Sequence, residues 1–332
     1  MSRLRYAIVR LLQAIPVVLG VVTITFLLTD AIPGDPVSIM LGPSPSAQQA
    51  AAIRAKFGLD QPLYVRYVNY LFDVIRLDFG ESLYYGVPVT QKVLERLPVT
   101  LLLLASSFTF ALVTAIPLGV ISAKRRNKPT DHVSRIVALF GVSTPSFWIG
   151  LMLIILFSYQ IQLFPSTGLV MPWADPANVE NASTQFQVVL VAFDHLVLPT
   201  ITLGTLQMAA FTRIERSSML EVLGQEYVKL ARAYGVSETK ILRKHAFRNA
   251  QLPLITIVGL QLTQALGGAV LTETVFSING MGRLIITAIN NQDYLLVMGT
   301  TLMFGVVFVV GVIVTDLSYA YVDPRVSYED TD

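Results

Sequence analysis

The stretch EYVKLARAYGVSETKILRKHAFRNAQLP, residues 226–253, is basic and amphipathic, and it lies between two long apolar segments. Its apolar residues recur at the spacing of a helix, and a glycine, Gly235, interrupts them. The pattern predicts two short helices that meet at that glycine. Between two membrane-crossing segments, such a stretch lies in water, where a soluble partner can bind it.

The first predicted helix starts at Glu226 and carries one apolar stripe. Four residues form the stripe at positions i, i+3, i+4 and i+7: Tyr227, Leu230, Ala231 and Tyr234. Arg232 lies off the stripe, and Ala231 and Ala233 are small enough to let the backbone of a partner approach closely. Gly235 suits the position just after a helix end, where the backbone turns left-handed.

The second predicted helix has Ser237 as its N-cap and Glu238 at the positive end of the helix dipole. Three residues share one of its sides: Ile241, Leu242 and His245. Two interpretations are open: the stretch docks a protein, or it only fixes the topology and contacts anionic lipid. The second explains the basic charge but neither the two apolar stripes nor the glycine between them, so we favour docking.

The composition is that of a membrane protein. Of 332 residues, 53% are hydrophobic and only 14% are charged, whereas soluble proteins average about 25% charged residues. A net charge of +2 gives no reason to expect nucleic acid as a partner. The absence of cysteine excludes disulfides and thiolate sites, and the three histidines lack metal-ligand spacing, so we expect no metal site.

Segments without charged residues predict an all-α polytopic membrane protein with six transmembrane helices. The predicted spans lie within residues 11–29, 97–123, 136–174 (its first two-thirds), 195–212, 249–272 and 294–315. The fourth span is the weakest because it is short and contains Pro199. The first is too long for a cleaved signal peptide and is followed by no cleavage site, so we expect it to be retained.

Lysine and arginine predict the orientation. They cluster before the first span, at 124–128, in the 213–248 loop and at Arg325, and six spans place all of these on one side. Cytoplasmic loops carry the excess of basic residues. We therefore expect a multi-pass protein of the cell membrane with both termini in the cytoplasm.

The predicted domains follow from these spans. Residues 1–29 form the N-terminal tail and first helix, and 30–96 form a small external helical cap. Residues 97–320 form a five-helix core with a cytosolic loop at 213–251, and 321–332 form a cytoplasmic tail.

The last external loop has the sequence GMGR at its centre, Gly280, Met281, Gly282 and Arg283, followed by a short amphipathic helix. Such a helix suits either an outer gate or a position on the membrane interface, and both interpretations stay open.

A few polar residues lie within or at the ends of the predicted spans. They are Gln207, Gln261, Thr263, Gln264 and, at an outer end, Glu273. These side chains suit either a water-filled pathway or polar contacts between helices. Like Glu273, the acidic residues Asp30 and Asp316 lie at predicted ends of spans and not within them.

Eight short motifs together resemble the permease subunits of ATP-binding-cassette importers, in the dipeptide/oligopeptide/nickel branch. The motifs are PGDPV (33–37), FGLDQPLYVRY (57–67), DFGES (78–82), RLPVTLLL (96–103), STPSFWIG (143–150), ARAYG (231–235), HAFRNAQLP (245–253) and ETVFSINGMGRL (273–284). Their order and spacing cover nearly the whole chain, and the 226–253 stretch is similar to the EAA loop of these permeases. One departure is that Lys229, Leu230 and Ala231 stand where the general motif has Glu-Ala-Ala.

The resemblance implies an importer-type permease fold and a set of partners. A second homologous permease would complete a heterodimer in the lipid bilayer, two ATPase subunits would dock on the EAA-like loop, and an extracytoplasmic binding protein would deliver substrate. The chain itself would bind no cofactor, since ATP and Mg would be held by the ATPases. Peptides are the expected substrate, with nickel chelates or oligosaccharides as alternatives.

Two other classes of protein fit less well. An ion-coupled secondary transporter needs ionisable residues within its spans, and here they lie at the predicted ends. The chain has no phosphate-binding loop of the Gly-x-x-x-x-Gly-Lys type, so it is not expected to be an ATPase or another enzyme. Neighbouring Asp194 and His195 point in different directions on a helix and come with no identifiable nucleophile.

Overall fold

The computed structural model describes residues 3–31, 46–56 and 60–322, and all of the regular secondary structure in these ranges is helical. The helices before the central part of the chain are α1 (Arg3–Ala31), α2 (Ala47–Lys56), α3 (Leu63–Ile75), α4 (Val89–Lys124), α5 (Pro129–Ser143) and α6 (Ser146–Gln160). The remaining helices are α7 (Gln185–Leu223), α8 (Glu226–Ala233), α9 (Glu238–Val275), α10 (Met281–Asn290) and α11 (Tyr294–Val322). Residues 32–45, which hold the PGDPV motif, and most of the tail at 321–332 lie outside the described residues.

The prediction of an all-α polytopic membrane protein is confirmed. Within the described ranges, five helices are long and apolar enough to cross a membrane, namely α1, α4, α7, α9 and α11. The pair α5 and α6 makes the sixth span if it is counted as one, although its halves meet at 105°.

The segment predicted to form the third span, the first two-thirds of 136–174, therefore forms two helices joined at a sharp bend. The chain breaks at Thr144, whose backbone is extended (φ −98°, ψ 129°), directly before Pro145. A residue before proline is forced out of the helical region, and the proline has no N–H to continue the helix. The STPSFWIG motif thus marks a corner between two half-length helices.

The weakest predicted span is the longest helix. The helix α7 has 39 residues, starts at a capping box formed by Thr184 and Gln187, and contains Pro199 without breaking. It is central to the fold, since α4, α5, α6 and α9 all pack against it. Because α7 runs on to Leu223 and α9 starts at Glu238, most of the predicted 213–251 loop is helix.

The two ends of the chain pack together. The helix α1 lies against α11, and Arg10 forms an ion pair with Asp316 at 3.3 Å. The helix α3, which we expected in a cap on the outer face, lies beside α1, where the hydroxyls of Tyr67 and Thr23 are 2.6 Å apart. The helix α4 begins at Val89, whereas the second predicted span began at residue 97. Residues 89–96 therefore belong to a spanning helix and not to the predicted cap.

Candidate functional site

The helix α8 ends as its sequence predicts. The N–H of Val236 donates to the carbonyl of Ala231 at 3.1 Å, and the N–H of Gly235 donates to that of Arg232 at 2.9 Å. Gly235 has a φ of +74°, which side chains with a Cβ rarely adopt. This pair of bonds is the Schellman motif, and it stops the helix at a defined residue.

One face of α8 projects away from the rest of the chain. Leu230 is 58% exposed and Tyr234 is 79% exposed, while Ala231 is half-buried. The short side chain of Ala231 therefore forms a depression between the large apolar side chains of Leu230 and Tyr234. Arg232 and Ala233 are exposed beside it.

Val228 on the opposite face and polar contacts near both ends fix α8 to the chain. Val228, which the sequence analysis did not select, is completely buried. The Asn249 side-chain amide donates to the Tyr227 hydroxyl at 2.9 Å, and Arg232 pairs with Glu238 at 2.7 Å across Gly235. These contacts tie both ends of α8 to α9.

The residues predicted to share one side of the second helix are largely buried. Ile241 and Leu242 are buried, and His245 is half-buried. Leu242 packs with Ala123, Met219, Ala246 and Ala250, so this apolar side faces the inside of the chain, whereas Leu230 and Tyr234 are exposed. Ser237 occupies the N-cap position, but its side chain makes no capping bond.

An ion pair whose carboxylate is fully buried was missed by the sequence analysis. The Asp131 carboxylate accepts from Arg216 Nε at 2.7 Å and Nη2 at 2.9 Å, from the Ser122 hydroxyl at 2.6 Å and from the Asn127 N–H at 2.9 Å. These bonds join α4, α5 and α7. No sequence period signals this pair.

A second polar contact joins α7 to α9. Gln251 Nε2 donates to both Glu215 oxygens at 2.9 Å, and Glu215 is fully buried. Polar contacts therefore tie together four helices, α4, α5, α7 and α9.

At the other end of the bundle, Glu273 fixes α10. Its carboxylate accepts from the Thr100 hydroxyl at 2.6 Å and from the Arg283 N–H at 3.0 Å, and the Thr100 oxygen accepts from the Met281 N–H at 2.8 Å. A Cβ on Gly282 would lie 2.5 Å from the backbone of Val270, so only glycine permits this approach.

The helix α10 is therefore packed into the bundle. Its residues Met281, Leu284 and Ala288 share a core with Val89 and Val93 of α4. A helix packed in this way does more than rest on the interface, and its role as an outer gate stays a prediction. Gly280 lies beside the Glu273 carboxylate, and Arg283 donates to the carbonyl of Ser277 at 2.9 Å.

The remaining polar candidates separate into two groups. Gln207 and Gln261 are buried between helices, and Gln207 Oε1 has no hydrogen-bond partner among the described residues. Thr263 and Gln264 are exposed on α9. They belong to one continuous exposed face of this helix: Thr256, Leu260, Thr263, Gln264, Gly267, Leu271 and Thr274.

Two protein families match the chain. The family described as "Binding-protein-dependent transport system inner membrane component" matches residues 115–328. The family described as "Binding-prot-dependent transport system membrane comp, N-term" matches residues 3–104.

Known proteins are similar over nearly the full length. The oligopeptide transport system permease protein AppB of Bacillus subtilis is 39% identical over 327 residues, covering 97% of this chain and 99% of AppB. The dipeptide transport system permease protein DppB of Alkalihalophilus pseudofirmus is 38% identical over 98% of this chain and 100% of its own length. DppB of Escherichia coli K12 is 38% identical over 98% and 99%, respectively.

Proposed function

Because the chain belongs to the family of inner membrane components of binding-protein-dependent transport systems, we propose that it is the permease subunit of an ATP-driven importer of di- or oligopeptides. Membership of this family makes it a transport subunit that spans the membrane. The peptide substrate is proposed from the relatives, which are named as dipeptide and oligopeptide permeases.

The observation that carries the mechanism is the geometry of α8. A short helix that leaves Leu230 and Tyr234 in water, while Val228 anchors it and Asn249 and Glu238 tie it to α9, is built to receive a partner and to pass on its motion. We propose that one ATPase subunit binds this face. Closure of an ATPase dimer on ATP would then move α8 and α9 together, and the long helices would carry the movement across the membrane.

The exposed face of α9 supports a pathway shared with a second permease. From Ile15 to Leu27, the exposed residues of α1 are apolar, among them Ile15, Leu19 and Ile24, as lipid requires. On α9, Thr263 and Gln264 are exposed instead, and neither has a hydrogen-bond partner among the described residues. Exposing an unpaired amide to hydrocarbon costs several kcal/mol. We therefore assign this face to a wet pathway between two permeases.

The same proposal sets the orientation and the remaining partners. With α8 on the ATPase side, the chain termini lie in the cytoplasm, and the loop between α9 and α10 lies on the opposite side, toward an extracytoplasmic binding protein. ATP and Mg belong to the ATPases, so the chain itself needs no cofactor.

Purification from native membranes in mild detergent tests the whole assembly. We expect two ATPases, a second permease of similar size and a binding protein to accompany the chain. The ligand of that binding protein then decides between peptides, nickel chelates and oligosaccharides. A chain that purifies alone, under conditions that keep known complexes intact, would reject the docking function and favour an ion-coupled transporter.

A further inference from the structure

The helix α3 has a packed side that lies on α1. The rings of Tyr67 and Tyr70 lie 5.4 Å and 5.6 Å from that of Phe26, measured between centroids, and the hydroxyl of Tyr67 meets that of Thr23. The spanning helix α1 is thus the surface to which α3 is attached.

Beside the packed side, α3 has a broad apolar face that the described residues leave exposed. Four residues form this face: Tyr64, Val68, Phe72 and Ile75. Phe72 is 56% exposed and Ile75 is 77% exposed. At 100° per residue, the polar side chains Asn69, Asp73 and Arg76 fall together on the remaining side. Packed, apolar and polar faces therefore follow one another around the helix.

A groove runs between α1 and α3. It has a volume of about 350 Å³, and apolar side chains alone line it, including Ile15 and Val18 of α1 and Leu71 and Ile75 of α3. The groove lies along the charge-free part of a helix that crosses the membrane. Its opening continues onto the exposed apolar surface of α1, where Leu12 and Leu19 lie.

We propose that the apolar face of α3 and this groove bind the acyl chains of membrane lipid, so that α3 is embedded in the leaflet that surrounds the C-terminal half of α1. Whatever lies beside Val18 and Val22 of a spanning helix lies at membrane depth. Tyr64, Tyr67 and Tyr70 are the kind of residue enriched at the level of the lipid headgroups. The separate polar side of α3 then meets water, as in other helices that lie in the interface.

Lipid fits this surface better than a protein does. The apolar face of α3 continues without a polar rim into the lipid-facing surface of α1, whereas protein interfaces have polar rims. We predicted that residues 30–96 form an external cap. Under this proposal, α3 does not belong to the exposed cap but anchors residues 30–96 in the bilayer. This inference does not depend on the ATPase-docking face.

Tryptophan fluorescence in vesicles tests the proposal on the full chain. In a W148F/W173F background, single tryptophans are introduced by F72W and V68W on the apolar face, by I75W in the groove, by N69W on the polar side and by L12W on the exposed side of α1. The vesicles contain phosphatidylcholine with brominated acyl chains, and iodide is the quencher in water.

We expect bromine to quench F72W, V68W and I75W as strongly as L12W, while iodide quenches only N69W. If F72W and V68W instead respond to iodide as N69W does, α3 lies in water and the proposal is wrong. If they are protected from both quenchers, a protein covers the face, and the proposal is equally wrong. Two reporters on one face guard against a single misfolded variant, and the measurement requires no transport.

Discussion

Replacing Asp131 by alanine is expected to destabilise the fold by about 3–5 kcal/mol, the usual cost of removing one partner of a buried ion pair. The Asp131 side chain is fully buried and accepts four hydrogen bonds, two of them from Arg216, whose side chain is 21% exposed. The alanine leaves the guanidinium, the Ser122 hydroxyl and the Asn127 N–H without their acceptor. Each buried group left in this way carries its own desolvation cost.

The chain offers a matched control. Glu226 and Lys229 are also 2.7 Å apart, but their side chains are 87% and 59% exposed. An exposed pair at this helical spacing contributes only about 0.2–0.5 kcal/mol. The variants D131A and E226A therefore remove a carboxylate at the same distance from its partner, and burial makes the difference between them.

Unfolding of the purified chain in mixed micelles by increasing SDS, followed by tryptophan fluorescence, measures both variants. The double variant D131A/R216A is expected to fall short of the sum of the single losses by about 1–3 kcal/mol, because the two residues share one contact. A loss for D131A no larger than that for E226A, or strictly additive losses, would refute the argument that this pair joins α4, α5 and α7.

Three further variants test the two ends of the bundle. G235V should cost more than about 1 kcal/mol locally, because φ of Gly235 is +74°, and should lower peptide uptake per ATP hydrolysed. G235N, since asparagine tolerates this backbone, should keep most of the uptake. Equal uptake by both variants would contradict the role of Gly235 in ending α8. L230A should weaken ATPase binding by about 1–2 kcal/mol, roughly 5–30-fold, with K229A as the neighbouring control; an unchanged affinity in a pull-down titration would show that the face is wrongly assigned. E273A removes the acceptor for Thr100 and the Arg283 N–H, so amide hydrogen exchange in α10 should speed up, and protection equal to that of the parent chain would argue against the anchor.

The sequence predicts the spans because a membrane excludes charged side chains, and a segment without charged residues can be read directly from the sequence. It places the ends of the helices less well. The helix α7 continues past Arg213 and Arg216 to Leu223, since a helix that leaves the bilayer need not end there. The Asp131–Arg216 pair could not be predicted, because its partners are 85 residues apart and no period links them.

Helical spacing identifies an apolar face but does not say what covers it. The stripe with Leu230 and the side with Ile241 and Leu242 are equally apolar in the sequence, yet the structure turns the second toward α4 and α7 and leaves the first exposed. The difference comes from the Schellman stop at Gly235, which sets the direction of α8 relative to α9. The same reasoning applies to α3, whose apolar residues suit a cap, a core or a lipid surface equally well until Tyr67 is found beside Thr23 of a spanning helix. In both places the local pattern fixes the face, and the neighbouring helix determines whether that face meets protein, water or lipid.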